Sequence, residues 1–238
     1  MRIVTDTKTI ARNVAIGKYA SIGGIVLLFI ALLINIYALT RPEDTQLILL
    51  VFATFIIGFL LSNIGGLFNF RWGRRPDRGL SDALRGLDER YTLYHYRLGA
   101  AHVLVAPSGV YTLTPKYQHG LITFEDGKWK NPGERRSFLS LFAPRDLLGN
   151  PTQEALAEAE ALKNFLKKQA PEVTIEPKPL VVFMHSQAVV EAEKAPVIAL
   201  HVKQLKDYIR RQPKGPTLSA ATLAALEEKL GLTKAQMA

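Results

Sequence analysis

The stretch Ile25-Val26-Leu27-Leu28-Phe29-Ile30-Ala31-Leu32-Leu33-Ile34, answered by Leu47-Ile48-Leu49-Leu50-Val51-Phe52 and by Ile56-Ile57-Gly58-Phe59-Leu60-Leu61, decides the architecture of this chain. The first run lies within residues 19–40, which are 22 positions without a formal charge, and the second within residues 45–70, another 26. A bilayer crossing needs about 20 apolar residues at about 1.5 Å rise each, so both runs suffice. Neither leaves the polar stripe that a helix on a soluble core keeps. The connection Arg41-Pro42-Glu43-Asp44 permits only an antiparallel hairpin, with Pro42 stopping the first helix. The chain therefore divides into an N-terminal segment (1–20), a transmembrane hairpin (21–70, with helices at about 21–40 and 45–68) and a domain (71–238).

Charge orients the hairpin. Arg2, Lys8, Arg12 and Lys18 precede the first span and Arg71, Arg74, Arg75 and Arg78 follow the second, whereas the loop carries only Arg41. Positive residues stay cytoplasmic, so both termini are expected in the cytoplasm of a cell-membrane protein. A cleavable signal peptide fits poorly, because the apolar core is long, has no clear small-x-small site, and a second span follows it. Tyr37 and Trp72 fall where interfacial aromatic rings belong. The spans hold no Asp, Glu, Lys, Arg or His, the usual mark of an ion path, so anchoring is expected and not transport. Gly23-Gly24 and Gly65-Gly66 are candidate close-contact points between helices of separate copies.

The whole chain carries 30 Lys and Arg against 21 Asp and Glu, a net +9, with 48% hydrophobic residues and no cysteine. Disulfide scaffolds, cysteine zinc sites, iron–sulfur clusters and thiol catalysis are excluded. The charge divides as +3 for residues 1–20, −1 for the hairpin loop and +7 for residues 71–238, so much of the excess flanks the membrane.

Within the domain, Leu80, Leu84 and Leu87 have helical spacing. Tyr91 to Tyr96, Ala101 to Ala106, Val110 to Thr114 and Leu121 to Phe124 read as strands, with turns at Pro107-Ser108-Gly109 and Glu125-Asp126-Gly127. A helix is expected from Thr152, as its cap, to about Gln169, with Ala155, Leu156, Ala159, Leu162, Phe165 and Leu166 on one face. Leu180 to Met184 and Pro196 to Leu200 read as interior strands, and helices near Val202 to Arg211 and Ser219 to Leu230 complete an α/β domain with a mixed sheet.

Familiar catalytic signatures are missing. There is no Gly-x-Gly-x-x-Gly or Walker-type phosphate loop and no Gly-x-Ser-x-Gly elbow, and Ser108 and Ser186 have no evident base partner. His95, His119, His185 and His201 lack metal-ligand spacing, and His102, at a strand start, reads as structural. No metal and no cofactor are expected.

One segment carries a resemblance. Ala101-His102-Val103-Leu104-Val105-Ala106-Pro107-Ser108-Gly109-Val110-Tyr111-Thr112-Leu113-Thr114-Pro115-Lys116, followed by Gly120, resembles the core of the nuclease-related domain family, known as NERD. The likeness continues through Leu148-Gly149-Asn150-Pro151, the helix to Gln169, the Val181-Val182-Phe183 strand and the helix from Leu205 to Arg211. It implies a restriction-endonuclease-like fold in which two carboxylates on neighbouring strands hold a divalent cation and a nearby lysine helps activate water at a phosphate. Ala101 stands at the first carboxylate position and Thr114 at the second; Lys116 matches the lysine. A methyl and a hydroxyl cannot replace two carboxylates toward Mg²⁺. The family's helix glutamate aligns with either Asp77 or Leu80, and Glu125 and Asp126 read as a solvated turn.

Lys116, Lys128, Trp129, Lys130, Arg135 and Arg136 form a basic run around one aromatic, suited to a nucleic-acid backbone or to anionic headgroups, with headgroups the better fit for a domain tethered beneath the leaflet. The expectation is a membrane-anchored protein with a catalytically inactive nuclease-like domain in a binding or assembly role. A metal-dependent nuclease with displaced ligands and an accessory subunit of a larger membrane complex are the alternatives. The expected partners are the lipid bilayer, then other membrane-protein subunits, then nucleic acid.

Overall fold

The computed structural model describes residues 1–132, 148–171 and 173–230. They divide into two units: a helical hairpin beginning at Thr7 and ending at Arg75, and a domain that combines Met1–Asp6 with the described residues from Pro76 onward. The chain is thus mixed α/β, with two long apolar N-terminal helices and a mixed sheet.

In the hairpin, α1 spans Thr7–Ala38 and α2 spans Thr45–Gly73, 32 and 29 residues. At about 1.5 Å per residue each exceeds the roughly 30 Å hydrocarbon thickness. Both helices are long and apolar enough to cross a membrane. α1 starts well before residue 21, because nothing between Thr7 and Ala20 breaks a helix and Lys8, Arg12 and Lys18 are strong helix formers. Asp44 caps α2, its carboxylate accepting from the backbone N–H groups of Gln46 and Leu47.

The buried positions of α1 include Gly17, Gly24, Ala31 and Ala38, and those of α2 are Gly58 and Gly65, all at intervals of seven. A seven-residue repeat keeps one seam facing the partner helix, and small residues let the backbones approach. A Cβ on Gly24 would lie 2.4 Å from the Ser62 nitrogen, and one on Gly65 2.3 Å from the Ser21 nitrogen. Gly24 and Gly65 therefore serve contact within the hairpin. Asn69 Nδ2 closes the seam by donating to the Gly17 carbonyl at 3.3 Å and to Ser21 Oγ at 3.0 Å. Phe29, Leu32, Phe52, Phe55 and Ile56 face outward.

The domain's main sheet has six strands: β1 (Arg2–Thr5), β2 (Thr92–Leu98), β3 (Ala100–Ala106), β4 (Gly109–Lys116), β7 (Lys178–Phe183) and β9 (Ile198–His201), ordered β1-β2-β3-β4-β7-β9. β2, β3 and β4 form an antiparallel meander, while β1 joins β2, and β7 joins β4 and β9, in parallel. A smaller sheet, β6-β5-β8, is built from β5 (Gly120–Glu125), β6 (Lys128–Lys130) and β8 (Ala188–Glu191). Asp126 and Gly127, with φ of 52° and 72°, make the β5–β6 turn a two-residue connection matched to strand twist.

Helices α3 (Pro76–Ala83) and α5 (Val202–Arg211) cover one face of the main sheet, where Leu80, Leu84, Leu205 and Ile209 pack on Leu93, Leu104, Tyr111 and Leu113. Helices α4 (Pro151–Gln169) and α6 (Ala220–Lys229) cover the other, where Leu162, Leu166, Leu223 and Leu226 pack on Val103, Val105 and Val110. β7 is fully buried from Leu180 to Phe183, as a central strand should be, but β9 is an edge strand and Ile198 is exposed. The cap of α4 is Asn150, accepting from the Gln153 N–H at 3.2 Å, and Thr152 instead accepts from the Trp129 indole.

The N-terminal segment is not separate from the domain. β1 lies along β2 with Val4 opposite Tyr94, and Val4 is completely buried. Arg2 donates to both carboxylate oxygens of Glu227 on α6, and the buried Tyr94 hydroxyl donates to the same carboxylate. Burial and the neighbouring carboxylate push the Tyr94 phenol far above its usual range.

Candidate functional site

In the β3–β4 ladder Val103 stands opposite Thr112 and Leu104 opposite Tyr111. Continuing that register by two residues sets Ala101 opposite Thr114, and the strand period of two puts both on the face covered by α4, with Lys116 next along β4. The three positions marked by the resemblance are therefore neighbours on one sheet face at the carboxyl end of β4. What surrounds them is chemically different from a pair of strand carboxylates.

Lys116 is 4% exposed, and its ammonium donates to Glu154 Oε1 at 2.6 Å and to the Leu148 carbonyl at 3.1 Å. Glu158, one helical turn after Glu154, accepts the Ala101 backbone N–H at 2.7 Å. Two carboxylates thus reach the site from α4 instead of from the strands, and each already holds a donor of this chain. Thr114 is buried and its Oγ1 has no hydrogen-bond partner among the described residues, as is true of Thr112 Oγ1 two residues earlier. Among the described residues no three His, Asp or Glu side chains gather as a metal-binding group. The residues present do not fit the cation that the resemblance implies, because the two strand positions lack anionic oxygen and both helix carboxylates are engaged. Residue spacing alone could not reveal Glu154 and Glu158, since 38 residues separate Lys116 from Glu154 and only the folded α4 joins them.

The remaining sequence candidates fall in different places. Asp77 is buried in the first turn of α3, and Leu80 is a core residue. Trp129 packs edge-on against Phe124, with centroids 5.3 Å apart, and beside Phe183, and its indole N–H is held by Thr152 Oγ1 at 2.9 Å. It is half-buried, packed against the core beneath the small sheet. Lys130 pairs with Glu125 at 2.9 Å and with Asp126 at 3.3 Å across the β5–β6 turn. Lys128 is exposed. Arg135 and Arg136 lie outside the described residues.

Sequence reasoning missed a second cluster, on the opposite face of the meander. His95 and His102 are cross-strand partners, completely buried, with their Nδ1 atoms 2.8 Å apart. His95 Nε2 lies 3.0 Å from Ser81 Oγ, whose hydroxyl donates to the Asp77 carbonyl at 2.7 Å. With that proton committed to Asp77, His95 Nε2–H donates to Ser81 and Ser81 to the Asp77 backbone, while one of the two facing Nδ1 atoms carries the proton shared between the rings. His95 is then a donor to Ser81 and not a base for it. Burial first, and the adjacent His95 second, hold the His102 imidazole well below its ordinary value. The one sequence signal was that 95 and 102 sit symmetrically about the β2–β3 turn.

No protein-family model, no curated protein and no solved structure matches this chain.

Proposed function

We propose that this is a membrane-anchored protein whose domain derives from a nuclease-like scaffold, has lost the cation-dependent chemistry and serves in binding or assembly. The observation that carries this reading is the closed state of Lys116: the one chemically competent residue of the motif is buried and bonded to Glu154 and Leu148, beside Ala101 and Thr114. The succession α3, β2-β3-β4 meander, α4 and parallel β7 agrees with the restriction-endonuclease-like fold implied by the resemblance to NERD domains. The pairing of β1 with β2 supports a hairpin whose two ends return to one side, and the positive residues at both ends support the cytoplasm as that side.

The test uses the purified full chain in detergent, incubated with DNA or RNA and Mg²⁺ or Mn²⁺. The expected result is no cleavage above that of a Lys116→Ala variant. Cleavage that disappears in Lys116→Ala overturns the reading. If it disappears in Glu154→Gln and Glu158→Gln as well, the nuclease with displaced ligands takes its place, a reading that rests on the two α4 carboxylates lying at the motif positions.

A further inference from the structure

The two layers that cover the main sheet differ in charge. Residues 76–87 and 202–214, the α3–α5 layer, hold seven basic and three acidic residues, a net +4, and one of the acids, Asp77, is buried. The α4 and α6 segments, 151–169 and 219–230, hold four basic and five acidic residues, a net −1. The basic excess of the folded layers therefore lies on one face.

α5 concentrates it. Its ten residues turn Leu205 and Ile209 into the core and leave Lys203, Arg210 and Arg211 exposed. These three, with Arg78 on α3, form no ion pair among the described residues. The turn that follows α3 is tied to α5, Lys206 Nζ donating to the Arg85 carbonyl at 2.5 Å. Cationic side chains on a rigid layer, with the apolar face already used by the core, suit a plane of anionic groups better than an apolar partner.

A source of such a plane is covalently close. Gly73 ends α2, and Arg78 follows five residues later, at most roughly 18 Å of extended chain. Clusters of Lys and Arg next to a spanning helix are attracted to anionic headgroups within about a Debye length. We infer that the α3–α5 layer is a docking surface for anionic phospholipid, through which the domain lies on the leaflet that its hairpin spans. This rests on the membrane-anchored reading above. It also moves leaflet contact away from Trp129 and Lys130, whose side chains are committed within the domain, to Arg78, Lys203, Arg210 and Arg211.

The chain has no cysteine, so single-cysteine labelling is unambiguous. Gln204→Cys, exposed on α5, and Ala157→Cys, exposed on α4, each carry a fluorescent label in full-length protein reconstituted into nanodiscs of phosphatidylcholine alone or with added phosphatidylserine. Acrylamide quenching reads exposure of the label. With phosphatidylserine the Gln204 position is expected to become several-fold less quenched while Ala157 does not change. Raising salt from about 0.1 to about 1 M should reverse the protection, since the Debye length contracts from about 10 to about 3 Å. Replacing Lys203, Arg210 and Arg211 by Gln should lower the ratio of docked to free domain on the order of 100-fold. Equal quenching at Gln204 in both lipid compositions overturns the inference, as does protection conferred by added nucleic acid but not by phosphatidylserine. Failure of the chain to co-purify with the nanodisc would instead sink the anchored reading itself.

Discussion

Glu154, half exposed on the first turn of α4, places Oε1 2.6 Å from the Nζ of Lys116, which is 4% exposed at the end of β4. The pair is asymmetric. A buried ammonium without a carboxylate is costly, whereas a half-exposed carboxylate without its ammonium is solvated.

That asymmetry sets the first prediction. Glu154→Gln should destabilise the domain by about 1–2 kcal/mol, a fall in Tm of roughly 2–8 °C for a chain of this size. Lys116→Met, which fills the same space without a charge, should be neutral or stabilising. Thermal unfolding of the two variants in detergent decides between this view and one in which the ion pair itself contributes the stability; a loss for Lys116→Met as large as that for Glu154→Gln would contradict the prediction.

The histidine pair makes stability depend on pH. The His102 imidazole titrates below the unfolded value of 6.5, so the unfolded chain binds the proton more readily. Stability is therefore intact above about pH 6.5 and falls as acid is added through and below that value. Ser81, held by the Asp77 carbonyl, faces His95 from α3, the Tyr96 ring lies edge-on to His102 at 4.9 Å, and the Asp6 backbone N–H donates to the His95 carbonyl. Urea unfolding at pH 8, 6.5 and 5 should show this slope, and His102→Gln should flatten it while costing about 1–3 kcal/mol at pH 8 through the orphaned His95 nitrogen. An unchanged slope in the variant would assign the acid sensitivity to other groups.

Glu227 holds the N-terminal strand. Its carboxylate is buried and accepts from Arg2 and Tyr94, so Glu227→Leu leaves a phenol and a guanidinium without their acceptor. A loss of about 2–4 kcal/mol is expected, together with faster amide exchange in residues 2–5. Exchange that accelerates equally throughout the main sheet, with no excess in β1, would show that the contact stabilises the whole domain and not the strand.

In the hairpin, Gly24→Val and Gly65→Val should separate the helices, since each new Cβ would meet backbone at 2.4 or 2.3 Å. Gly23→Ala meets only Leu61 Cδ2 at 3.4 Å and should be tolerated. Single cysteines on facing helix positions give the readout: cross-linking yield should fall for the two Val variants and persist for Gly23→Ala.

Much of the architecture was legible in the residues because its causes are local. Uninterrupted apolar runs, the Asp126-Gly127 turn and the period-two strands from Thr92 to Lys116 are decided by neighbours a few positions apart. β1 was not legible, since four residues ahead of a spanning helix carry no strand signal until β2 lies beside them. β6 and β8 are too short to show a period, and the cap of α4 lies two residues before Thr152 because Pro151 suits the first helical position and leaves Asn150 as the cap.

The sequence by itself determined two membrane-length helices, a mixed α/β domain and the absence of carboxylates at Ala101 and Thr114, because length, hydrophobicity and residue identity need no partner to be read. Only the tertiary structure decided that Glu158 meets Ala101 and Glu154 meets Lys116, that His95 meets His102, and that the exposed cations gather on α3 and α5. Each of these depends on the distance or the facing between side chains far apart in the chain, and packing of the helices on the sheet is what sets it.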